Sequence, residues 1–197
     1  MLEFKNKKYI IVLLIIFTSW SGILHAEKLK YPFLDKGIII DNEIIKLYDS
    51  ENKIMEIFRG KGKQDIDPIF PEGNYYAYYD DENKIYIAFG LDEGNGVVTI
   101  RLSEKEIQLT TLKITSFKIK FKEKVKTLKG ITIGDSINKV REIYGEPTYI
   151  NKTGDITIYG YICSKEEAPN ENIKVTFSII LEFKNDKLIR IDISDGS

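Results

Sequence analysis

The sequence has very few of the side chains that most enzymes use for catalysis. Its 197 residues include one histidine, one tryptophan and one cysteine. His25 and Trp20 both lie within residues 1–26, so removal of that segment would leave no imidazole. This excludes Ser-His-Asp and Cys-His nucleophiles, histidine acid-base catalysis and His-rich zinc sites. Cys163 lies in a strand-like segment and is predicted to be a buried small hydrophobe. We therefore expect no enzyme, no metal and no cofactor.

Residues 1–26 have the three-part pattern of a secretory signal peptide. Three lysines precede an apolar run from Tyr9 to Trp20, and a cleavage site with a small residue follows, ending at Ala26. The run is shorter than the roughly 20 residues that cross a bilayer, so an uncleaved anchor is the weaker alternative. We predict export to a periplasm, the cell envelope or the medium, with no stable membrane span after the signal is removed.

The charge balance argues against one class of partner. Removal of residues 1–26 would take away three lysines and one glutamate, and the formal charge would change from −1 to −3. Proteins that bind phosphate backbones usually carry a basic patch and a strongly positive charge. We therefore expect no nucleic-acid partner.

Strands dominate the chain after residue 30. Several segments alternate apolar and polar residues with the period of two that is typical of a half-buried strand. The segments are 84–89, 97–102, 173–183, 187–193 and a lysine stripe with Lys118, Lys120, Lys122, Lys124 and Lys126. Turn-like clusters at 92–96 and 184–186 predict antiparallel hairpins. The lysine stripe is interpreted as a charged, solvated edge in preference to an acid-binding surface.

Two segments have helical spacing instead. Ser136 can cap a helix of about ten residues that Gly145 and Pro147 end. Asp49-Ser50 opens a similar segment that Gly60 closes. Ser136 also lies in a Gly-Asp-Ser-Ile block like that of G-D-S-L esterases. Because that chemistry needs a histidine base, we predict a helix cap at Ser136.

The two helical segments are similar to each other. Residues 49–57 and 135–143 are identical at six of nine positions, at an offset of 86 residues. The strand patterns that follow correspond at offsets that grow to 88 and 91. We interpret this as a tandem duplication, with unit 1 and its connecting strands at 27–115 and unit 2 at 116–197. The predicted class is α+β, with each unit a short helix followed by antiparallel strands and the helices packed on the sheet.

The turn into the second helix carries a motif. Lys129-Gly130-Ile131-Thr132-Ile133-Gly134-Asp135-Ser136, followed by Val140, Tyr144, Gly145 and Pro147, resembles the pattern of the SmpA/OmlA (BamE-like) envelope proteins. Tandem pairs of such units look like β-lactamase inhibitory protein. The resemblance implies a protein-binding or envelope-assembly role on the exposed sheet face and loops. The motif residues themselves are explained as turn, cap and packing residues.

Four tyrosines, Tyr75, Tyr76, Tyr78 and Tyr79, crowd one predicted strand. Alternation places Tyr76 and Tyr78 on one side and Tyr75 and Tyr79 on the other, so one pair should be core and the other partly exposed. Exposed tyrosines favour recognition, whereas cross-strand packing is an equally open alternative.

The leading hypothesis is a protein-binding role, as an inhibitor or as an assembly or stress factor of the envelope, with the tyrosines as candidate binding residues. The alternative is a cell-wall or small-ligand-binding module that uses the Tyr75–Tyr79 strand. Hydrolase activity at Ser136 comes third. The identity of the partner and the oligomeric state stay open.

Overall fold

The structure is a computed structural model that describes residues 31–59, 64–66, 73–92, 94–105, 108–109, 112–113, 117–170, 173 and 176–195. The described residues from Phe33 onward belong to one compact unit. The predicted signal peptide, residues 1–26, lies outside the described residues. Within the described ranges, no helix is long and apolar enough to cross a membrane.

Two short helices and fourteen strands make up the described fold. The helices are α1 (Glu51–Ile57) and α2 (Ile137–Tyr144). The strands are β1 (Gly37–Ile40), β2 (Glu43–Lys46), β3 (Gln64–Ile66), β4 (Gly73–Asp80), β5 (Ile85–Asp92), β6 (Gly96–Ser103), β7 (Gln108–Leu109), β8 (Leu112–Lys113), β9 (Phe117–Ile119), β10 (Lys126–Thr127), β11 (Tyr149–Thr153), β12 (Ile156–Ser164), β13 (Thr176–Lys184) and β14 (Lys187–Asp195).

Most strands belong to one nine-stranded sheet. Its order is β11-β12-β13-β14-β6-β5-β4-β3, and β9 lies beside β4. Neighbours along this order pair antiparallel, whereas β9 runs parallel to β4. The meander β4-β5-β6 follows α1, the meander β12-β13-β14 follows α2, and the two meet where β14 pairs with β6. The predicted α+β class is confirmed.

Two smaller sheets accompany the large one, with orders β10-β1-β2 and β7-β8. The β1-β2 hairpin turns at Asp41 and Asn42, whose φ angles are 45° and 74°. The predicted hairpin between β13 and β14 turns in the same way at Asn185 and Asp186, with φ angles of 49° and 61°. Two consecutive left-handed residues match the right-handed twist of the paired strands, and Asn and Asp tolerate them well.

Both helices cover the same face of the large sheet. Phe58, which ends α1, stacks on Tyr78 at a centroid distance of 3.7 Å. Tyr144 of α2 meets Tyr161 edge-on at 5.6 Å. The register places one row of the sheet from Tyr78 through Ile87, Leu102, Ile191 and Leu181 to Tyr159 on one face. Tyr161 is two residues from Tyr159 on the same strand, so both ring partners, Tyr78 and Tyr161, lie on this face. All of these side chains are buried. This face is the hydrophobic core, and burial of each large side chain contributes roughly 1.5–3 kcal/mol.

The predicted second helix and its cap are confirmed. The Oγ of Ser136 accepts a hydrogen bond from the backbone N–H of Lys139 at 3.2 Å. Val140 and Tyr144 are buried, and the chain leaves α2 at Gly145 with a φ of 78°. A positive φ at this point costs glycine little, so the helix ends there.

The first helix begins differently. Ser50 is its N-cap residue, but its side chain makes no capping hydrogen bond. Instead Oδ2 of Asp49 accepts from the backbone N–H of Lys46 at 2.7 Å and pairs with Lys53 at 2.8 Å. Gly60, which was expected to close this helix, lies outside the described residues.

The predicted continuous strand across the lysine stripe is wrong in its middle. Only Phe117–Ile119 and Lys126–Thr127 are strands. Oδ1 of Asp41 accepts from the backbone N–H groups of Lys122 and Glu123, each at 2.9 Å, so these donors are taken up outside any strand ladder. The stripe's lysines from 118 to 124 are nevertheless exposed.

Candidate functional site

The sheet face opposite the helices, which we name the open face, carries the candidate site. One row across it reads Ala77, Ala88, Arg101, Asp192, Ile180, Gly160 and Tyr149. The next row reads Tyr79, Tyr86, Ser103, Arg190, Glu182, Ile158 and Asn151. The face therefore has an aromatic end, a charged centre and an end that combines aliphatic side chains with Tyr149.

The aromatic end is built on β4 and β5. Tyr75, Tyr79 and Tyr86 are half-buried there. The rings of Tyr79 and Tyr86 lie 4.6 Å apart between centroids, tilted by 41°. The ring of Tyr75 lies over Gly90, where a Cβ would come within 2.9 Å of its Cε1 atom. The small residues Ala77, Ala88 and Gly90 lie beside these rings on the same face. The tyrosines can therefore lie against the sheet, with part of each ring exposed.

The other two tyrosines belong to the core. Tyr76 is 4% exposed and Tyr78 is 0% exposed. The hydroxyl of Tyr76 donates to the carboxylate of Glu51 in α1, and burial together with Glu51 raises the pKa of Tyr76 to about 12. Burial raises the pKa of Tyr78 as well, and its hydroxyl has no hydrogen-bond partner within the described part of the chain. The predicted division into a core pair and a partly exposed pair is confirmed: of the four tyrosines, Tyr75 and Tyr79 are the two that expose part of their surface.

The charged centre spans the junction between β6 and β14. Asp192 lies between two arginines, with its Oδ1 2.5 Å from Nε of Arg101 and its Oδ2 2.5 Å from Nη2 of Arg190. Nη1 of Arg190 is 3.8 Å from the carboxylate of Glu182. Burial lowers the pKa of Arg190, but the hydrogen bond and charge of Asp192 outweigh it and leave that pKa raised. The cluster holds two positive and two negative charges, so it presents no net charge to a partner.

The far end of the open face joins Tyr149 to aliphatic side chains. The ring of Tyr149 lies over Gly160, and a Cβ there would clash with the ring atoms Cε1, Cζ and Cδ1. Ile158 and Ile180 are half-buried beside it. Tyr149 itself is 42% exposed. This end therefore offers apolar contact area.

Sequence reasoning missed several residues of the open face. Alternation over 84–89 and 97–102 placed Tyr86 and Arg101 on strands, but their neighbours depend on pairing between distant strands. Tyr149 was missed because the short strand β11 has little alternation in hydrophobicity. The available signal was its position: Tyr149 follows closely after Gly145 and Pro147, which end α2, so a new strand can begin there.

The remaining singled-out residues are structural. Cys163 is fully buried, as expected, and Ser136 caps α2. Among the described residues, no group of three His, Cys, Asp or Glu side chains could hold a metal ion. Two surface cavities of about 620 and 390 Å³ are lined by other described residues and include none of the four tyrosines.

Comparison with known proteins links part of the chain to one family. Residues 124–192 match the family model described as the outer membrane protein assembly factor BamE domain. The match covers about a third of the chain and contains β10, α2, β11, β12 and β13 with most of β14. It confirms the BamE-like character of this segment that the motif at 129–147 indicated.

The other comparisons found no relative. No curated protein matches the chain, and no solved structure matches it. The resemblance to β-lactamase inhibitory protein therefore stays a prediction.

Proposed function

We propose that this is an exported, non-enzymatic protein of the cell envelope that binds another protein through its open face and acts in outer membrane protein assembly. The observation that carries the proposal is the BamE-domain match over residues 124–192, which contributes half of the open face. The absence of a histidine after residue 26 supports a non-enzymatic role.

The size of the open face fits a protein partner. Strands about 4.8 Å apart and 3.3 Å per residue give the meanders and β11 a face of roughly 30 by 25 Å. A standard protein interface buries about 800 Å² on each partner, which is similar. A face of this size exceeds what a small ligand needs.

The composition of the face also supports a protein partner. Tyr75 and Tyr79 stand at one end and Tyr149 at the other, on each side of the neutral cluster around Asp192. Partly exposed tyrosines supply contact area at a low cost in side-chain entropy. Arginines already paired with carboxylates are held in place, so they can offer their remaining donors to a partner without further ordering.

We also propose that the chain arose by tandem duplication, with units near 27–115 and 116–197. The sheet order supports this, because β3-β4-β5-β6 and β14-β13-β12-β11 are arranged as mirrored sequences around the β6-β14 junction. Each meander also follows a helix on the same face of the sheet. By this account the open face is formed by both units, and a partner would contact both.

The test is quantitative binding by paired tyrosine variants. Wild-type protein captures its partner from envelope and medium fractions, and its affinity for the purified partner is then measured. The double variant Tyr75→Ala/Tyr79→Ala should weaken binding at least fivefold while the protein still unfolds in one cooperative transition above the assay temperature, since each truncated anchor costs about 1 kcal/mol or more. The matched control is Asn138→Ala/Glu142→Ala on the exposed side of α2, which should bind as wild type does.

Equal affinity of wild type and the tyrosine variant would contradict the proposed face. The identity of the captured partner distinguishes an assembly factor from an inhibitor. A partner involved in outer membrane protein assembly supports an assembly factor, whereas an enzyme whose activity falls on binding supports an inhibitor.

A cell-wall or small-ligand-binding role is the second candidate. The half-buried rings of Tyr79 and Tyr86, 4.6 Å apart, favour it because sugar and peptide groups can stack on such a surface. Wall fragments and glycans should then raise the melting temperature of wild type but not of Tyr79→Ala. An unchanged melting temperature with all of these ligands would remove this candidate.

A further inference from the structure

The strand β11 is an exposed edge of the nine-stranded sheet. It is the terminal strand of the sheet order, and no described strand pairs with its outer side. All five of its residues, Tyr149–Thr153, are exposed. Tyr149 and Ile150 are 42% and 49% exposed, which makes them two of the four large hydrophobic residues exposed in the described chain. An edge of this kind presents unpaired N–H and C=O groups next to apolar side chains.

The opposite edge of the sheet has the usual protection against strand pairing. There both β3 and β9 lie beside β4, and β9 continues into the lysine stripe, with Lys118 and Lys120 exposed next to Phe117. Charged side chains, lysine above all, prevent such an edge from pairing with another chain. On β11 the only charge is Lys152. The two edges therefore differ in their capacity to accept a further strand.

The sequence of β11 is complementary to itself when two copies run antiparallel. Opposed residues must lie on the same face of the sheet, so the two-fold axis between the two strands has to be level with a residue and not with the midpoint between two residues. An axis at Asn151 places Ile150 opposite Lys152 and Tyr149 opposite Thr153, and it pairs all five residues. The aliphatic stem of a lysine can cover Ile150, and an aromatic ring packs well against a β-branched residue. An axis at Lys152 would oppose two like charges, which is destabilising.

We propose that β11 pairs antiparallel with β11 of a second copy of this chain, about a two-fold axis at Asn151, so that the two large sheets form one continuous sheet. The pairing covers Ile150 and satisfies the outer backbone groups of the edge, while the ring of Tyr149 stays over Gly160 on the open face. It does not depend on the open face as a partner site. The open faces of both copies lie on the same side of the joined sheet.

The first test is disulfide trapping. Opposed residues of an antiparallel pair have Cα atoms about 4.5–5.5 Å apart, which suits a disulfide. Asn151→Cys should form a covalent dimer under mild oxidation, while wild type should not, because its single cysteine is buried. Lys118→Cys, on the opposite edge, is the matched control. Cross-linking of Asn151→Cys at no greater rate than Lys118→Cys overturns the proposal.

The second test measures the dimer without any cross-link. Light scattering of the purified protein over a concentration series should show a dimer whose dissociation constant rises at least tenfold in Ile150→Lys. Ile44→Lys is the control, because Ile44 is a similarly exposed isoleucine, 40% exposed, on the strand β2 of a different sheet. It should dimerise as wild type does. A monomer at every concentration, or an equal loss in both variants, overturns the proposal.

Discussion

The ring of Tyr149 lies against Gly160 on the adjacent strand. The two residues are directly opposed in the register of β11 and β12, and a Cβ at position 160 would clash with Cε1, Cζ and Cδ1 of the tyrosine ring. Glycine in a strand exposes backbone and adds no packing, and an aromatic side chain across the strand pair compensates for this. Gly160 is buried although it has no side chain. The ring therefore keeps water from the backbone at this point.

Gly160→Ala should destabilise the protein by about 1 kcal/mol, although alanine costs less conformational entropy than glycine. The added methyl group displaces the Tyr149 ring from the sheet and exposes it. Urea unfolding monitored by circular dichroism measures the change.

A double-mutant cycle separates this contact from the intrinsic preference for alanine. In a Tyr149→Ala background the ring is absent, so Gly160→Ala should be neutral or stabilising. The two substitutions should thus show a coupling of about 1 kcal/mol or more. Additive effects would mean that the ring does not cover Gly160 in solution.

The two N-cap serines should differ in their importance. Ser136→Ala should lower the free energy of unfolding by about 0.5–2 kcal/mol, because it removes the acceptor of the Lys139 N–H. Ser50→Ala should cost only a few tenths of a kcal/mol, since the Ser50 side chain makes no capping hydrogen bond. Chemical denaturation of both variants measures the difference. Equal losses would contradict the assignment of the Ser136 cap.

Local signals in the sequence were sufficient for the elements whose causes are local. Ser136, Gly145 and Pro147 delimit α2 because a cap, a left-handed glycine and a proline act within a few residues. The turn at Asn185 and Asp186 is local in the same sense. For these elements the prediction and the structure agree.

Interactions between distant residues determined what the sequence did not show. The stripe from 118 to 126 alternates like a strand, yet the carboxylate of Asp41 binds the backbone at Lys122 and Glu123, 81 and 82 residues away. The pairing of Arg101 with Asp192 spans 91 residues and depends on the β6-β14 junction. No pattern of alternation identifies such partners, so the candidate site was predicted only at its tyrosine strand.

Removal of a buried hydroxyl should have opposite effects at two core tyrosines. The Tyr78 hydroxyl is buried with no partner within the described residues, so Tyr78→Phe should stabilise the protein by up to about 1 kcal/mol. The Tyr144 hydroxyl donates to Asp35 at 2.8 Å and lies 3.1 Å from the Thr127 hydroxyl. Tyr144→Phe should therefore cost about 1–3 kcal/mol. Thermal unfolding of the two variants measures both changes, and a loss of stability in Tyr78→Phe would reveal an interaction of its hydroxyl.

Asp35 should make the stability of the protein depend on pH. Its carboxylate is 1% exposed, and Oδ2 accepts hydrogen bonds from the Lys129 N–H at 2.9 Å and from Tyr144. Its Oδ1 atom is buried with no hydrogen-bond partner among the described residues. Burial raises the pKa of Asp35, and the hydrogen bonds from Thr127, Tyr144 and Lys129 only partly oppose this. The folded state therefore holds this proton more tightly than the unfolded state does.

The sign of the pH effect follows from that difference. The contribution of Asp35 to stability is fully present below the unfolded pKa of about 3.9 and is lost as the pH rises through the raised folded pKa. Asp35→Asn keeps an acceptor oxygen but cannot ionise. The free energy of unfolding of Asp35→Asn minus that of wild type should thus increase from about pH 4 upward and then level off. Urea titrations between pH 3 and pH 7 measure this difference. The contributions of the other carboxyl groups to the pH dependence are the same in both proteins, so they cancel in it. A difference that stays constant, or that decreases with pH, would mean that the folded protein accommodates the ionised carboxylate of Asp35 without cost.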